Sequence, residues 1–136
     1  MSSHYATLVA GRALADGGVH LCNAGHCLPL LVNDGGVEKL DLTHLPIGLF
    51  CVGEYKAQRF KLARGETLLL YTDGLTEAEN ADGIQYESAR LVEVLEMHRA
   101  LSPGELVDAC LDDLNAFLSG VPKKDDVTVA AVRRVG

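Results

Sequence analysis

The stretch "LLLYTDGLTEAENADG", Leu68 to Gly83, constrains this chain more than any other. Leu68, Leu69, Leu70 and Tyr71 are apolar at consecutive positions. A strand with that pattern has no wet face and is covered on both sides. The chain then turns polar at once and sets Asp73-Gly74 at the strand's end.

The flanking segments read as further strands. "YATLVAGRAL" is rich in Thr, Val and Leu and has no helix start, so it reads as a strand. "DGG" at Asp16 to Gly18 signals a turn, and "VHLCNA" follows as the second arm of a hairpin. "PLLVN", a turn at Asp34 to Gly36, and "VEKLDL" make another strand–turn–strand unit. "LPIGLF" has a proline and a glycine inside a short apolar run and reads as a loop packed on the core. "AQRFKLA" alternates, with Phe60 and Leu62 on one face, and Arg64-Gly65-Glu66 turns it into the Leu68–Tyr71 strand.

Two helices come next. One is expected from about Glu87 to His98, with Leu91, Val92 and Leu95 on its apolar stripe. The second opens on "SPGE": Ser102 suits the N-cap, Pro103 the first helical position, and Glu105 completes a capping box. Its stripe is Leu106, Val107, Cys110, Leu111, Leu114, Phe117 and Leu118, and Gly120 with Pro122 stops it. "KKDDVTVAAVRRV" then leads two aspartates into a last strand. Strands, two helices and a strand give an α+β layout, a sheet with a helical layer on one face.

With 136 residues the chain makes one domain, 1–136, with one modest core. Hydrophobic residues at 48% argue for a globular fold. A net charge of -7 argues against nucleic acid or an anionic membrane as the main partner. The start shows no secretory pattern, and no apolar run approaches a membrane span, so a cytoplasmic location is expected. Cys22, Cys27, Cys51 and Cys110 form no CxxC pair and read as free thiols in a reducing compartment.

Carboxylates meet strand ends twice. Asp73 follows one buried strand, and Asp125 and Asp126 precede another. If those strands pair antiparallel, the carboxylates reach one sheet edge. Mg²⁺ and Mn²⁺ take oxygen ligands in near-octahedral geometry, which carboxylates on rigid strand ends can supply. Gly74 lets backbone approach there without a side chain in the way. The plainer alternative is that Asp-Gly is a common turn pair, with Asp125 and Asp126 a solvated turn neutralised by Lys123 and Lys124. Glu77 and Glu79 read as solvated surface.

Four motifs in order, "NAGHCLPLLV" (Asn23 to Val32), "LPIGLF" (Leu45 to Phe50), "LLLYTDGLTEAENADG" and "DDVTVAAVR" (Asp125 to Arg133), resemble the metal-dependent protein serine/threonine phosphatases of the PPM class, in their bacterial SpoIIE/RsbU-type branch. The resemblance covers nearly the whole chain. It implies two packed antiparallel sheets with helices outside, here a partial PPM-type sandwich with a two-helix layer on one face. It implies hydrolysis of phosphoserine or phosphothreonine by water activated between two Mn²⁺ or Mg²⁺ ions. It assigns Asp73 and Asp125 as catalytic metal ligands and Asp126 as the neighbour that holds a water on the ion. Asn23, Gly25 and His26 match a signature loop that reads as structural first. The implied partner is a phosphorylated regulatory protein of the anti-sigma-factor-antagonist type, in bacterial partner switching.

The sequence departs from the family in two places. The family carries an earlier "GDxxG"-type aspartate that bridges the metals, and nothing upstream of "YATLVAG" supplies it. Ser2, Ser3 and His4 are the only candidates there, and Asp16 sits in a turn. In "GIQYES" this chain has Glu87 where the family commonly has glycine. The chain is therefore expected to be the C-terminal portion of a phosphatase domain, inactive alone. The alternative is a natural short relative, a non-catalytic PPM-like binding module. Two helices cover only one sheet, so either a two-fold homodimer or the missing N-terminal half of the domain is expected to cover the rest.

Overall fold

The computed structural model describes residues 4–42, 44–48 and 54–136. Ser2, Ser3, Leu49, Phe50 and Cys51 lie outside the described residues.

Among the described residues, seven strands and three helices are arranged in three layers. Strands β1 (Leu8–Ala13), β2 (Gly18–Ala24) and β5 (Gln58–Lys61) form one antiparallel sheet in the order β1-β2-β5. Strands β3 (Leu30–Asn33), β4 (Gly36–Lys39), β6 (Thr67–Tyr71) and β7 (Val129–Arg133) form a second, in the order β4-β3-β6-β7. Both sets of "DGG" residues turn hairpins, as their chemistry predicts, because positive φ at Gly17 and Gly36 is open to glycine alone at little cost.

The central strand β6 explains the layering. Leu68 packs with Val19, Leu21, Leu42 and Leu62 in the interior between the two sheets. Leu69 and Tyr71 point the other way, into a cluster with Leu75, Leu91, Leu95, Leu106, Cys110 and Leu114 from the helices. The expectation that β6 is covered on both faces therefore holds within this chain, with a sheet on one side and helices on the other. Among the described residues the outer face of β1-β2-β5 is left uncovered, and the space between the sheets stays open along β1 and β7, where Gly11, Ala13 and the half-exposed Val132 line a cleft.

Helix α3 (Pro103–Leu118) opens on the expected capping box. The Ser102 side chain accepts from the Glu105 N–H, and the Glu105 carboxylate accepts from the Ser102 N–H at 2.9 Å. Helix α2 (Glu87–His98) has the expected bounds but a slightly rotated stripe: Leu91, Val94 and Leu95 are buried and Val92 is only partly so. The same three- and four-residue spacing permits either choice, and packing against α3 and β4 selects Val94. Arg90 on α2 makes two hydrogen bonds to Asp113 on α3, at 2.8 and 3.0 Å, and the Tyr86 hydroxyl donates to the same carboxylate at 2.6 Å. The Arg90 guanidinium lies over the rings of Tyr86 and Phe117, which clamps the two helices together. Among the described residues no helix is long and apolar enough to cross a membrane.

Candidate metal centre

Strand β6 delivers Asp73, but not as its last residue. A one-turn helix, α1 (Asp73–Thr76), starts there, with Thr72 extended at its N-cap. The Asp73 carbonyl accepts from the Glu77 N–H at 2.8 Å and from the Thr76 hydroxyl at 3.3 Å, which turns the chain away from the sheet. Leu75, fully buried, anchors the turn in the helical core. A four-residue helix is too short to show a periodic pattern, so nothing in the apolar spacing announced it.

Strand β7 brings the second acidic group to the same place. It runs antiparallel to β6, with Tyr71 opposite Val129. Beyond that pair Thr72 continues the match. Its N–H donates to the Thr128 carbonyl at 3.0 Å, and its Oγ1 accepts from the Thr128 N–H at 3.0 Å. The Thr72 hydroxyl in turn donates to the Asp126 carbonyl at 3.3 Å. One threonine thus ties the entry of Asp73 to the exit of Asp126. Thr72 stands at the N-cap position, but its side chain makes no capping bond to α1 and is used across the sheet instead, a role that no local pattern signals.

Gly74 closes the junction. A Cβ built on it would sit 2.2 Å from the Asp126 carbonyl oxygen and 3.5 Å from the Asp125 carbonyl carbon. Only a residue without a side chain allows this backbone approach. Asp73, Asp125 and Asp126 are all exposed at this edge. Asp125 Oδ1 accepts from the Asp126 N–H at 2.7 Å, which leaves its second oxygen free. Lys124 does not neutralise the aspartates but pairs with Glu79, so Glu79 is an ion-pair partner rather than simply solvated.

In chemistry, these residues fit a hard cation: three carboxylates at one edge, on backbone held by hydrogen bonds and a close glycine contact. In number they are few. Among the described residues no group of three or more His, Cys, Asp or Glu side chains stands close enough to hold a metal ion, and Asp73, Asp125 and Asp126 do not make one.

The signature loop comes near this edge at Cys27, which feels the Asp73 carboxylate. Asn23 is fully buried. Its Nδ2 donates to the carbonyls of His26 at 3.0 Å and Cys27 at 3.3 Å, and its Oδ1 accepts from the His26 N–H at 2.8 Å. Gly25 has φ +70° and lies against Pro46, so the loop docks on the Leu45–Gly48 segment. His26 Nδ1 is 3.1 Å from the Thr7 hydroxyl. The loop ends at Cys27, whose thiol is pushed up by burial and then by the nearby Asp73 carboxylate. Burial, and then Cys27, push the Tyr71 hydroxyl up to about 12. Cys27 and Tyr71 line an open cleft of about 420 Å³ with Thr76, Glu77, Glu87 and Ser88. The neighbourhood of Cys27 and Asp73 was not legible in the sequence, since 46 positions separate them and neither belongs to a spaced ligand motif.

The "Stage II sporulation protein E (SpoIIE)" family matches residues 1–135 of the chain. Protein IcfG of Synechocystis sp. is 29% identical over 132 residues, which cover 96% of this chain and 21% of that protein. The RsbU and RsbW domains of Rv1364c from Mycobacterium tuberculosis superpose with a TM-score of 0.73 at 26% identity, over 95% of this chain and 36% of theirs. The Mn-presoaked phosphatase domain of the cell fate determinant SpoIIE from Bacillus subtilis gives a TM-score of 0.72 at 16% identity, over 95% of this chain and 56% of that one. The chain thus spans about a fifth of the curated relative and roughly a third to a half of these solved chains.

Proposed function

The chain belongs to the SpoIIE family, and from that membership we propose that residues 1–136 are the C-terminal portion of a metal-dependent phosphoprotein phosphatase domain. The substrates are phosphoserine and phosphothreonine on a small regulator of the anti-sigma-factor-antagonist type, in cytoplasmic partner switching. The observation that carries the reading is the junction at Thr72, Gly74 and Asp126, which brings Asp73 and the Asp125–Asp126 pair to one edge.

Asp73, Asp125 and Asp126 would hold Mn²⁺ or Mg²⁺. Once bound, the ions supply the positive charge that lowers the pKa of water and offsets charge on a transferring phosphoryl group. The chain's own part is placement. The Thr72 hydrogen bonds and the Gly74 contact fix the two acidic segments relative to each other, so no backbone ordering is left for the moment of binding. Burial raises the Tyr71 hydroxyl to about 12 and pushes the Cys27 thiol above its ordinary value, which disfavours a further anion near this edge.

Few carboxylates meet at this edge, so residues 1–136 alone are expected to bind Mn²⁺ weakly and to hydrolyse very slowly. Calorimetry with Mn²⁺ on wild type and Asp73→Asn tests the site. Weak heat that the substitution removes supports it, and tight binding indifferent to Asp73 places the metal elsewhere. Robust Mn²⁺-dependent hydrolysis of p-nitrophenyl phosphate, abolished by Asp125→Ala, would show that these residues are sufficient by themselves.

A further inference from the structure

The cleft lined by Cys27 and Tyr71 opens on the helical side of the second sheet. Its walls come from the end of β4, from α1 and from the start of α2, and include Lys39, Thr76, Glu77, Gln85, Glu87 and Ser88. The outer face of β1-β2-β5, which the rest of the domain is expected to cover, is on the opposite side of the three layers. The cleft adjoins the candidate metal centre. Asp73 opens α1, and the Glu77 N–H donates to the Asp73 carbonyl at 2.8 Å. Residues four apart along a helical turn are neighbours on one face, so Glu77 stands one turn on from Asp73. Cys27, on the cleft wall, senses both carboxylates.

The charges in the cleft are unevenly matched. Lys39 is the cation among its lining residues, and its ammonium donates to the Ser88 hydroxyl at 2.9 Å rather than to a carboxylate. Glu77 and Glu87 are exposed and form no ion pair among the described residues. Glu79, two positions on from Glu77, is by contrast neutralised by Lys124. Glu87 is also held at φ +63°, a conformation that glycine would adopt at little cost. The chain keeps a carboxylate on the cleft wall despite that strain. An open cleft with two unpaired carboxylates, beside a place for a phosphoryl group, suits a cation carried on the same polypeptide as the phosphate.

We propose that this cleft receives a basic side chain, arginine above all, from the segment of the phosphoprotein substrate that flanks the phosphorylated residue, with Glu77 and Glu87 as its partners. The inference rests on the phosphatase reading for the position of the phosphoryl group, and deepens it by naming what the substrate carries beside the phosphate. Charge complementarity selects the occupant. The planar fork of a guanidinium presents donors to both carboxylates, and the Thr76 hydroxyl and the Gln85 amide oxygen can accept the remaining N–H groups. An acidic segment would meet two carboxylates, opposed only by a lysine already bonded to Ser88. A bare divalent cation would lack ligands, since among the described residues no three acidic, His or Cys side chains converge.

The probes are synthetic peptides with a central serine flanked on either side by arginine or by alanine, each made with and without phosphate on the serine. They are titrated into isotope-labelled protein with Mg²⁺ present, and NMR reads both affinity and the amides that move. Arginine is expected to tighten binding about fivefold over alanine, the size of a good exposed ion pair, and to shift the amides of Thr76, Gln85 and Ser88. Glu87→Gln removes the charge and keeps the side chain's length, whereas Glu87→Gly also relaxes the backbone. Each should reduce the arginine gain to about twofold or less. Asp108→Asn removes the same charge from an exposed position on α3 and should leave the gain intact. Circular dichroism checks that each variant is folded, and Glu87→Gly supplies the comparison if Glu87→Gln is not. The proposal is overturned if the gain survives loss of the Glu87 charge in a folded protein, or if the shifts fall outside the cleft. It is also overturned if Asp108→Asn reduces the gain equally, since the net charge of -7 is then the attraction. The two readings fail separately. A gain from phosphate with none from arginine refutes the cleft proposal alone, and a gain from arginine with none from phosphate supports the cleft and counts against the phosphatase reading.

Discussion

Replacing Gly74 by alanine tests whether the two acidic segments are held by backbone contact. The added Cβ would stand 2.2 Å from the Asp126 carbonyl oxygen. Ordinary contact begins near 3.4 Å, so the segments must separate by about 1 Å. Gly74 does not occupy the left-handed region, so strain in φ adds nothing and the cost is one of space. Forcing a methyl into a packed site costs about 1–3 kcal/mol, and the better helix propensity of alanine returns up to about 1 kcal/mol. A net loss of about 1–2 kcal/mol is expected, which lowers Tm by roughly 3–8 °C for a domain of this size. Thermal melts followed by circular dichroism read it. Gly104→Ala is the control: it also lies near a helix start, but nothing stands within 4 Å of its Cβ, so it should melt at or slightly above wild type. If Gly74→Ala melts no lower than wild type, the contact with Asp126 is not what positions this edge.

Three further outcomes are expected. Asn23→Ala removes a buried side chain that satisfies the His26 N–H and two carbonyls. It should cost about 2–3 kcal/mol in urea denaturation, and a loss under 0.5 kcal/mol would mean the loop is held by other contacts. Glu87 has φ +63°, a conformation that costs a non-glycine residue about 1 kcal/mol or more. Glu87→Gly should therefore raise stability by a net of about 0.5 kcal/mol after the entropy of glycine is counted, read as a higher denaturation midpoint, and a lowered midpoint would refute the strain. The Asp113 carboxyl is held below its usual range by the hydrogen bonds of Arg90. A depressed folded-state pKa contributes stability above the unfolded value near 4 that is lost as pH falls through the lower folded value. Wild type should thus exceed Asp113→Asn in stability at pH 7, and the gap should close on acidification below about pH 4. A gap independent of pH would contradict the charge-based account.

The sequence by itself determined most of the elements and the cover on both faces of the central strand. Consecutive apolar residues at Leu68–Tyr71 require two covered faces, and β6 has them, one against Leu21 and one against Leu95. Ser102, Pro103 and Glu105 encode the start of α3 through bonds made within one turn, so the capping box was readable from four letters. These features are local, or follow from a period that one strand or helix expresses alone. Other features depend on which segments meet. That Asp73 opens a helical turn, and that Gly74 touches Asp126, follow from the β6–β7 register across 52 residues. The same is true of Glu79 pairing with Lys124, of Cys27 lying near Asp73, and of the choice of Val94 over Val92. The register that sets Arg12 opposite His20 and His20 opposite Arg59 joins three strands, of which the last is distant in sequence. Each segment's alternation says only that a residue points in or out. Which residues then become neighbours is decided by pairing between strands, which a linear pattern does not contain.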